Sequence, residues 1–197
     1  MRRSIVQLAI MAVAIAVVMP GAEARRIEFP KVKAITNYNR PEDNAKIRKP
    51  ERKYWKQEVK YPTAEAPGTI IIETQKRFLY YVLGNDRALR YGVGVGRDGF
   101  RWSGTERISR KAEWPDWRPP EDMREREPEL PEYMKGGYGN PLGARALYLG
   151  GTEFRIHGTH QPWSIGREVS SGCIRMTNDD VTDLYKMAKV GTKVIVK

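Results

Sequence analysis

The stretch from Thr69 to Val95 limits the fold more than any other. Thr69-Ile70-Ile71-Ile72-Glu73 and Arg77-Phe78-Leu79-Tyr80-Tyr81-Val82-Leu83 are runs rich in β-branched and aromatic residues, which predict strands. Gly84-Asn85-Asp86 predicts a turn, and Ala88 to Val95 a return strand. Gly92, Gly94 and Gly96 alternate with valines near its end. That spacing does not satisfy a dinucleotide fingerprint and no helix follows it, so these read as strand glycines that allow close packing. Gly104 to Glu113, Ala144 to Leu149, Glu153 to Ile156 and Lys193 to Val196 continue the strand character. A single helix is expected, capped by Thr177, with Asp179 and Asp180 in its first turn and Gly191 as its stop. Val181, Leu184, Tyr185 and Ala188 form its apolar face. The expected fold is mainly β with one principal helix.

Three segments are expected along the 197 residues. Residues 1–24 read as a secretory signal: Arg2 and Arg3 precede an apolar run from Ile5 to Met19, and Ala22-Glu23-Ala24 forms a small-x-small cleavage pattern. Export to a periplasmic or cell-wall compartment follows, with the signal transiently in the membrane. Residues 25–66 hold 12 basic and 6 acidic residues, spaced prolines and few aliphatics, the composition of a basic arm or linker, with Tyr38, Tyr54, Trp55 and Tyr61 as candidates to dock on the domain or on a polymer. Residues 67–197 form the folded domain. The net charge of +11 favours an acidic partner, but an exported chain excludes nucleic acid and leaves wall polymer. Trp114 to Pro141 is a Pro-, Gly- and charge-rich loop of the kind that binds ligands, with closure over a site left open. Trp117, Tyr133 and Trp163 are the candidate substrate contacts.

The chemistry concentrates in HGTHQPWSIGREVSSGCIRM, residues 157–176, which holds both histidines and the one cysteine. Cys173 has no partner for an intramolecular disulfide, and a lone thiol is a hazard in an oxidising compartment. A nearby imidazole activates a thiol as a nucleophile. His157 follows a strand, Phe154-Arg155-Ile156, and is favoured over His160, which sits among loop residues. Gly158 lets backbone approach. Backbone N–H groups around Gly172 and Cys173 are the candidate oxyanion donors, Ser170 and Ser171 supports of the loop or substrate contacts with Ser171 site-shaping, and Arg175 a stabiliser of the turn or a carboxylate binder. No carboxylate is an obvious third member of a triad, and a backbone carbonyl can orient the imidazole instead. Two histidines and one cysteine are too few for a metal centre, and no cofactor is expected.

His157-Gly158-Thr159 with Ser170-Ser171-Gly172-Cys173-Ile174-Arg175-Met176, and Asn140-Pro141-Leu142-Gly143-Ala144-Arg145 upstream, resembles the L,D-transpeptidase (YkuD-like) catalytic domain. The resemblance covers about residues 68–197. It implies a β-sandwich-like fold in which Cys173 is the nucleophile and His157 moves the proton, with Arg175, Ser171 and Gly172 in the site and His160 outside it. It also implies action on peptidoglycan stem peptides. The enzyme would form 3→3 cross-links or anchor a protein to the wall, with acylation by carbapenem-type β-lactams as a corollary. Water as acceptor would make it an L,D-carboxypeptidase. A non-catalytic wall-binding protein is the more distant alternative.

Overall fold

The computed structural model describes residues 49–197. The expected signal, residues 1–24, and the first part of the expected arm, residues 25–48, lie outside the described residues.

Strands β1 (Gln57–Lys60), β2 (Ile70–Glu73), β3 (Phe78–Gly84), β4 (Arg87–Gly92), β5 (Val95–Gly96), β6 (Gly104–Glu113), β7 (Arg145–Leu149), β8 (Arg155–His157), β9 (Glu168–Ser170), β10 (Ile174–Arg175) and β11 (Lys193–Val196) carry the fold, with helices α1 (Glu121–Arg126) and α2 (Asn178–Met187). Nine strands run in the order β1-β4-β3-β2-β11-β6-β7-β8-β10, and β5 pairs with β9 apart from them. The long strand β6 joins two halves. Its Gly104–Arg107 part pairs with β11, its Ile108–Glu113 part pairs with β7, and the register shifts between Ile108 and Arg110. A bulge there bends the strand so that it passes from one layer of a sandwich to the other.

The β3–β4 hairpin turns through Asn85 (φ 49°) and Asp86 (φ 55°), two residue types that tolerate the left-handed region. The isoleucine run of β2 is apolar on both faces because both are covered. Ile70 and Ile72 point into the main core with Leu79, Tyr91, Ile156, Ile174 and Leu184. Ile71 packs on the other side with Tyr80, Val82 and Ala88. α2 closes the main core. Thr177 caps it by accepting from the Asp180 N–H at 3.1 Å, and Lys111 donates to the Tyr185 and Ala188 carbonyls at its end.

Two expectations change. The return strand stops at Gly92; Gly94 then bridges to Arg175 and β5 pairs with β9, so the alternating glycines leave one sheet to serve another. A Cβ at Gly94 or Gly96 would collide with the Ser164 or Phe100 carbonyl oxygen, while Val93 and Val95 fill the core. The folded unit also begins before residue 67. β1 pairs along β4, Val59 and Tyr61 cover Ile71 and Tyr80, and Tyr61 stacks on Tyr80 at 4.2 Å. Aromatic rings supply there what sparse aliphatics do not.

Tyr54, 5% exposed, sits between Gly92 and Gly166, with its hydroxyl 3.4 Å from the Gly166 carbonyl and its ring against Phe78. The chain between the two histidines and Cys173 thereby rests on a residue of the expected arm. Tyr54→Ala is expected to destabilise the domain by about 3 kcal/mol in urea unfolding. A midpoint matching the wild type would show that the ring does not hold the fold.

Candidate active site

β8 and β10 lie side by side and parallel, with Ile174 opposite Ile156 and Arg175 opposite His157. Side chains alternate across a sheet, so this register sorts the pair into two faces. Ile156 and Ile174 enter the core on one face. The other face carries Arg155 and His157 from β8, and Arg175 from β10. Continued by one residue, the register sets Cys173 opposite Arg155, on the same face. The ladder continues beyond the pair, since the Met176 N–H donates to the His157 carbonyl at 2.8 Å and Arg175 exchanges two backbone bonds with Gly94. On the other side, His157 pairs with Ala146 and Ala146 with Ala112, two small residues that leave room for the ring.

His157 is buried, at 4% exposure. Its Nδ1 lies 2.6 Å from the Gly158 carbonyl. A carbonyl only accepts, so Nδ1 carries the hydrogen and Nε2 keeps a lone pair to take a proton. Gly158 has no room for a side chain: a Cβ would meet Asn178 Oδ1, which accepts from the Ala144 N–H at 2.9 Å. Asn140, almost fully buried, holds the upstream turn by accepting from the Leu142 N–H and donating to the Met134 and Lys135 carbonyls. The Asn140–Ala144 block thus braces the strand end that bears the imidazole.

The turn before Cys173 is held from both sides. The Ser170 hydroxyl donates to the Cys173 carbonyl at 2.6 Å. Gly172 takes φ 100°, a backbone conformation that disfavours other residues, and its carbonyl accepts from Trp102 Nε1 at 2.9 Å. The Trp102 ring stacks on Phe154 at 4.6 Å, and Phe154 occupies the space a Gly172 Cβ would need. Sequence reasoning offered both Ser170 and Ser171 as supports of the loop, and the bond that closes the turn comes from Ser170. Trp102 and Phe154 were missed, and their distance along the chain left no local signal for either.

Cys173 is half-buried, and its thiol points toward the Glu153 carbonyl at 4.0 Å, a long contact. Burial pushes the thiol above its ordinary value, opposed by the charges of Arg155 and Arg175 and by the Arg155 backbone. Burial, and next the Arg175 guanidinium, push His157 down to about 3. Burial likewise takes His160 down to about 4, against the Asn140 backbone, which acts the other way. Arg175 therefore lies close enough to act on both imidazoles and the thiol. At neutral pH the imidazole and the thiol both rest neutral on one face of the sheet, which also carries Arg175.

The three candidate substrate contacts fall differently. Trp117 is buried within its own segment, where its backbone pairs with Met134, while Tyr133 and Trp163 are about two-fifths exposed. The 114–141 segment contains α1 and reaches back to Phe100, over which Arg126 stacks. Among the described residues no three His, Cys, Asp or Glu side chains converge as a metal site would need.

A family model, the L,D-transpeptidase catalytic domain YkuD, matches residues 67–196. The probable L,D-transpeptidase YbiS of Escherichia coli is 33% identical over 146 residues, 70% of this chain and 47% of that protein. The chain thus spans about half the length of the curated relatives it matches. A crystal structure from Brucella melitensis, described as a probable carnitine operon oxidoreductase, is 47% identical with TM-score 0.50, covering 75% of this chain and 96% of that one. The catalytic domain of an Enterococcus faecium L,D-transpeptidase acylated by ertapenem shares the fold at 18% identity and TM-score 0.52, covering 68% of this chain and all of that one.

Both histidines stay neutral in the folded domain to a pH well below the ordinary imidazole value of 6.5. The unfolded chain takes up protons near 6.5 and the folded one does not, so stability is full above that pH and falls as pH drops toward 4 and then 3. His157→Gln and His160→Gln are each expected to flatten the slope of melting temperature against pH between 6.5 and 4. Slopes equal to that of the wild type would contradict the burial of these rings.

Proposed function

Because the chain belongs to the L,D-transpeptidase catalytic-domain family, we propose that it is an exported cysteine acyltransferase acting on peptidoglycan stem peptides. The observation that carries this reading is the parallel register of β8 and β10, with the imidazole locked through Nδ1 on the face where Cys173 emerges. Family membership supports an acyltransferase in general; the reaction and the residue roles are the proposal.

His157 Nε2 takes the thiol proton as Cys173 Sγ attacks the carbonyl of the third stem residue. Since both groups rest neutral, the proton moves with the attack rather than before it. The oxyanion is held by N–H groups around Gly172 and Cys173, with Arg175 adding its charge. The C–N bond then breaks, and the leaving amine of the terminal D-residue takes the proton from the imidazolium. A thioester remains on Cys173. An acceptor amine attacks it, passes a proton to His157, and expels the thiolate, which recovers that proton as the new amide forms. A wall peptide as acceptor gives a 3→3 cross-link, a protein amine gives anchoring, and water gives the carboxypeptidase outcome. Residues 1–24 direct export, residues 25–66 are the basic arm or linker whose last part packs on the domain, and catalysis resides in residues 67–197. Gly158 and Gly172 serve by permitting the close backbone approaches that set the two reacting side chains.

Purified protein incubated with defined muropeptides is expected to yield dimers joined through two third-position residues, read by mass. Tripeptides alone would assign the carboxypeptidase instead. Cys173→Ala is expected to remove all turnover while leaving the melting temperature within a few degrees, and His157→Ala to lower turnover at least about a hundredfold. An active Cys173→Ala protein would overturn the assignment.

A further inference from the structure

The site face of the sheet carries a second ordered feature beside the Cys–His pair. Arg110 of β6 lies opposite Tyr148 of β7, and Tyr148 opposite Arg155 of β8. The row ends at Cys173, which the β8–β10 register sets opposite Arg155. The three side chains are in contact: the Arg110 guanidinium sits 3.6 Å from the centre of the Tyr148 ring and that of Arg155 5.5 Å from it. Arg155 is fixed further by donating through Nε and one terminal nitrogen to the Glu153 carbonyl, at 3.2 and 2.8 Å. That same carbonyl faces the Cys173 thiol. The guanidinium is therefore held beside the nucleophile, with donors left over.

Several arginines of this domain pair with acids: Arg77 and Arg101 with Glu168, Arg87 with Glu58, Arg126 with Asp122, Arg145 with Glu113. Arg110 and Arg155 are among the described arginines that form no such ion pair within 4 Å. Two guanidinium groups, both near one tyrosine ring and unmatched by carboxylate, lie in line with the reacting sulfur. Adjacent strands are about 4.8 Å apart, so the two positions are separated by about 10 Å, the span of about three residues of extended peptide.

We infer that Arg110, Tyr148 and Arg155 form a carboxylate-binding strip for the donor peptide, which would run from Cys173 across β8, β7 and β6. One free carboxylate of the peptide meets Arg155 next to the reacting carbonyl, and a second meets Arg110 about three residues away, each as a charge-assisted and, where the fork is open, bidentate pair. Tyr148 holds the Arg110 guanidinium over its ring, lies near that of Arg155, and brings no carboxylate of its own. The inference rests on the proposed action on wall peptides and adds what the enzyme selects in them.

The test compares two synthetic donor peptides, identical except that their free carboxylates are left ionised in one and amidated in the other. The readout is the ratio of kcat/KM for the ionised over the amidated donor. The wild type is expected to favour the ionised donor, and Arg110→Gln and Arg155→Gln each to cut that ratio about fivefold, through KM for Arg110. Arg110→Lys and Arg155→Lys, which keep the charge and lose the fork, are expected to fall between. Loss of packing alone would lower turnover of both donors together and leave the ratio where it was, which would overturn the strip. A wild-type ratio near one would overturn it too, with the acyltransferase reading left standing. A wild type inert on both donors would overturn that reading and the strip together.

Discussion

The active face depends on one structural constraint, the parallel pairing of two very short strands, β8 and β10. A two-residue strand has little hold of its own, and β10 is kept in register by being bonded on both sides, to β8 and to Gly94. A slip of β10 by one residue would send the Ile174 side chain out of the core and turn Arg175 inward. The buried isoleucines thus specify the chemistry on the opposite face. The same constraint explains why the chain from β4 breaks at Gly92: a side chain at Gly94 would displace the Ser164 carbonyl and the edge that holds Arg175.

The electrostatics follow from this placement. Burial disfavours charge on the thiol and the imidazole alike, and the nearby Arg175 makes a protonated imidazole still less favourable. A preformed thiolate–imidazolium pair would need its positive member beside a guanidinium. The arrangement favours a pair that rests neutral, and in the proposed reaction the Arg175 charge would favour the oxyanion while disfavouring the imidazolium.

The parts of the fold set by local chemistry were readable in the sequence. Thr177 with Asp179 and Asp180 marks the start of α2, Gly84-Asn85-Asp86 marks a hairpin, and Gly104 to Glu113 is one strand at its expected limits. What was not readable depends on contacts distant in the chain. Residues 54–61 read by composition as part of an arm with aromatic residues able to dock, and only the fold shows where: Val59 and Tyr61 pack on Ile71 and Tyr80, and Tyr54 is buried against Phe78. Ser170 and Ser171 are equivalent as turn formers, and only the path of β9 decides that Ser170 reaches the Cys173 carbonyl. Trp102 becomes visible as a site residue only once its indole is found on the Gly172 carbonyl. His157 was favoured over His160 because a strand precedes it, but the partner that fixes its tautomer is the carbonyl of its own neighbour, a matter of backbone geometry.

His160 shows how proximity differs from participation. It is partly buried, lies near Arg175 and the Asn140 backbone, and is shifted in the same direction as His157. Yet His157 is on a strand whose register with β10 is specified by the core, while His160 follows the Thr159 turn, which closes by accepting from the Gln161 N–H. A proton carrier must stay aligned with the sulfur through two transfers, and alignment of that kind comes from an element tied to the core on its other face. On this ground we propose the strand-borne ring as the base and place the loop-borne ring, near the Asn140 backbone, in the wall around it.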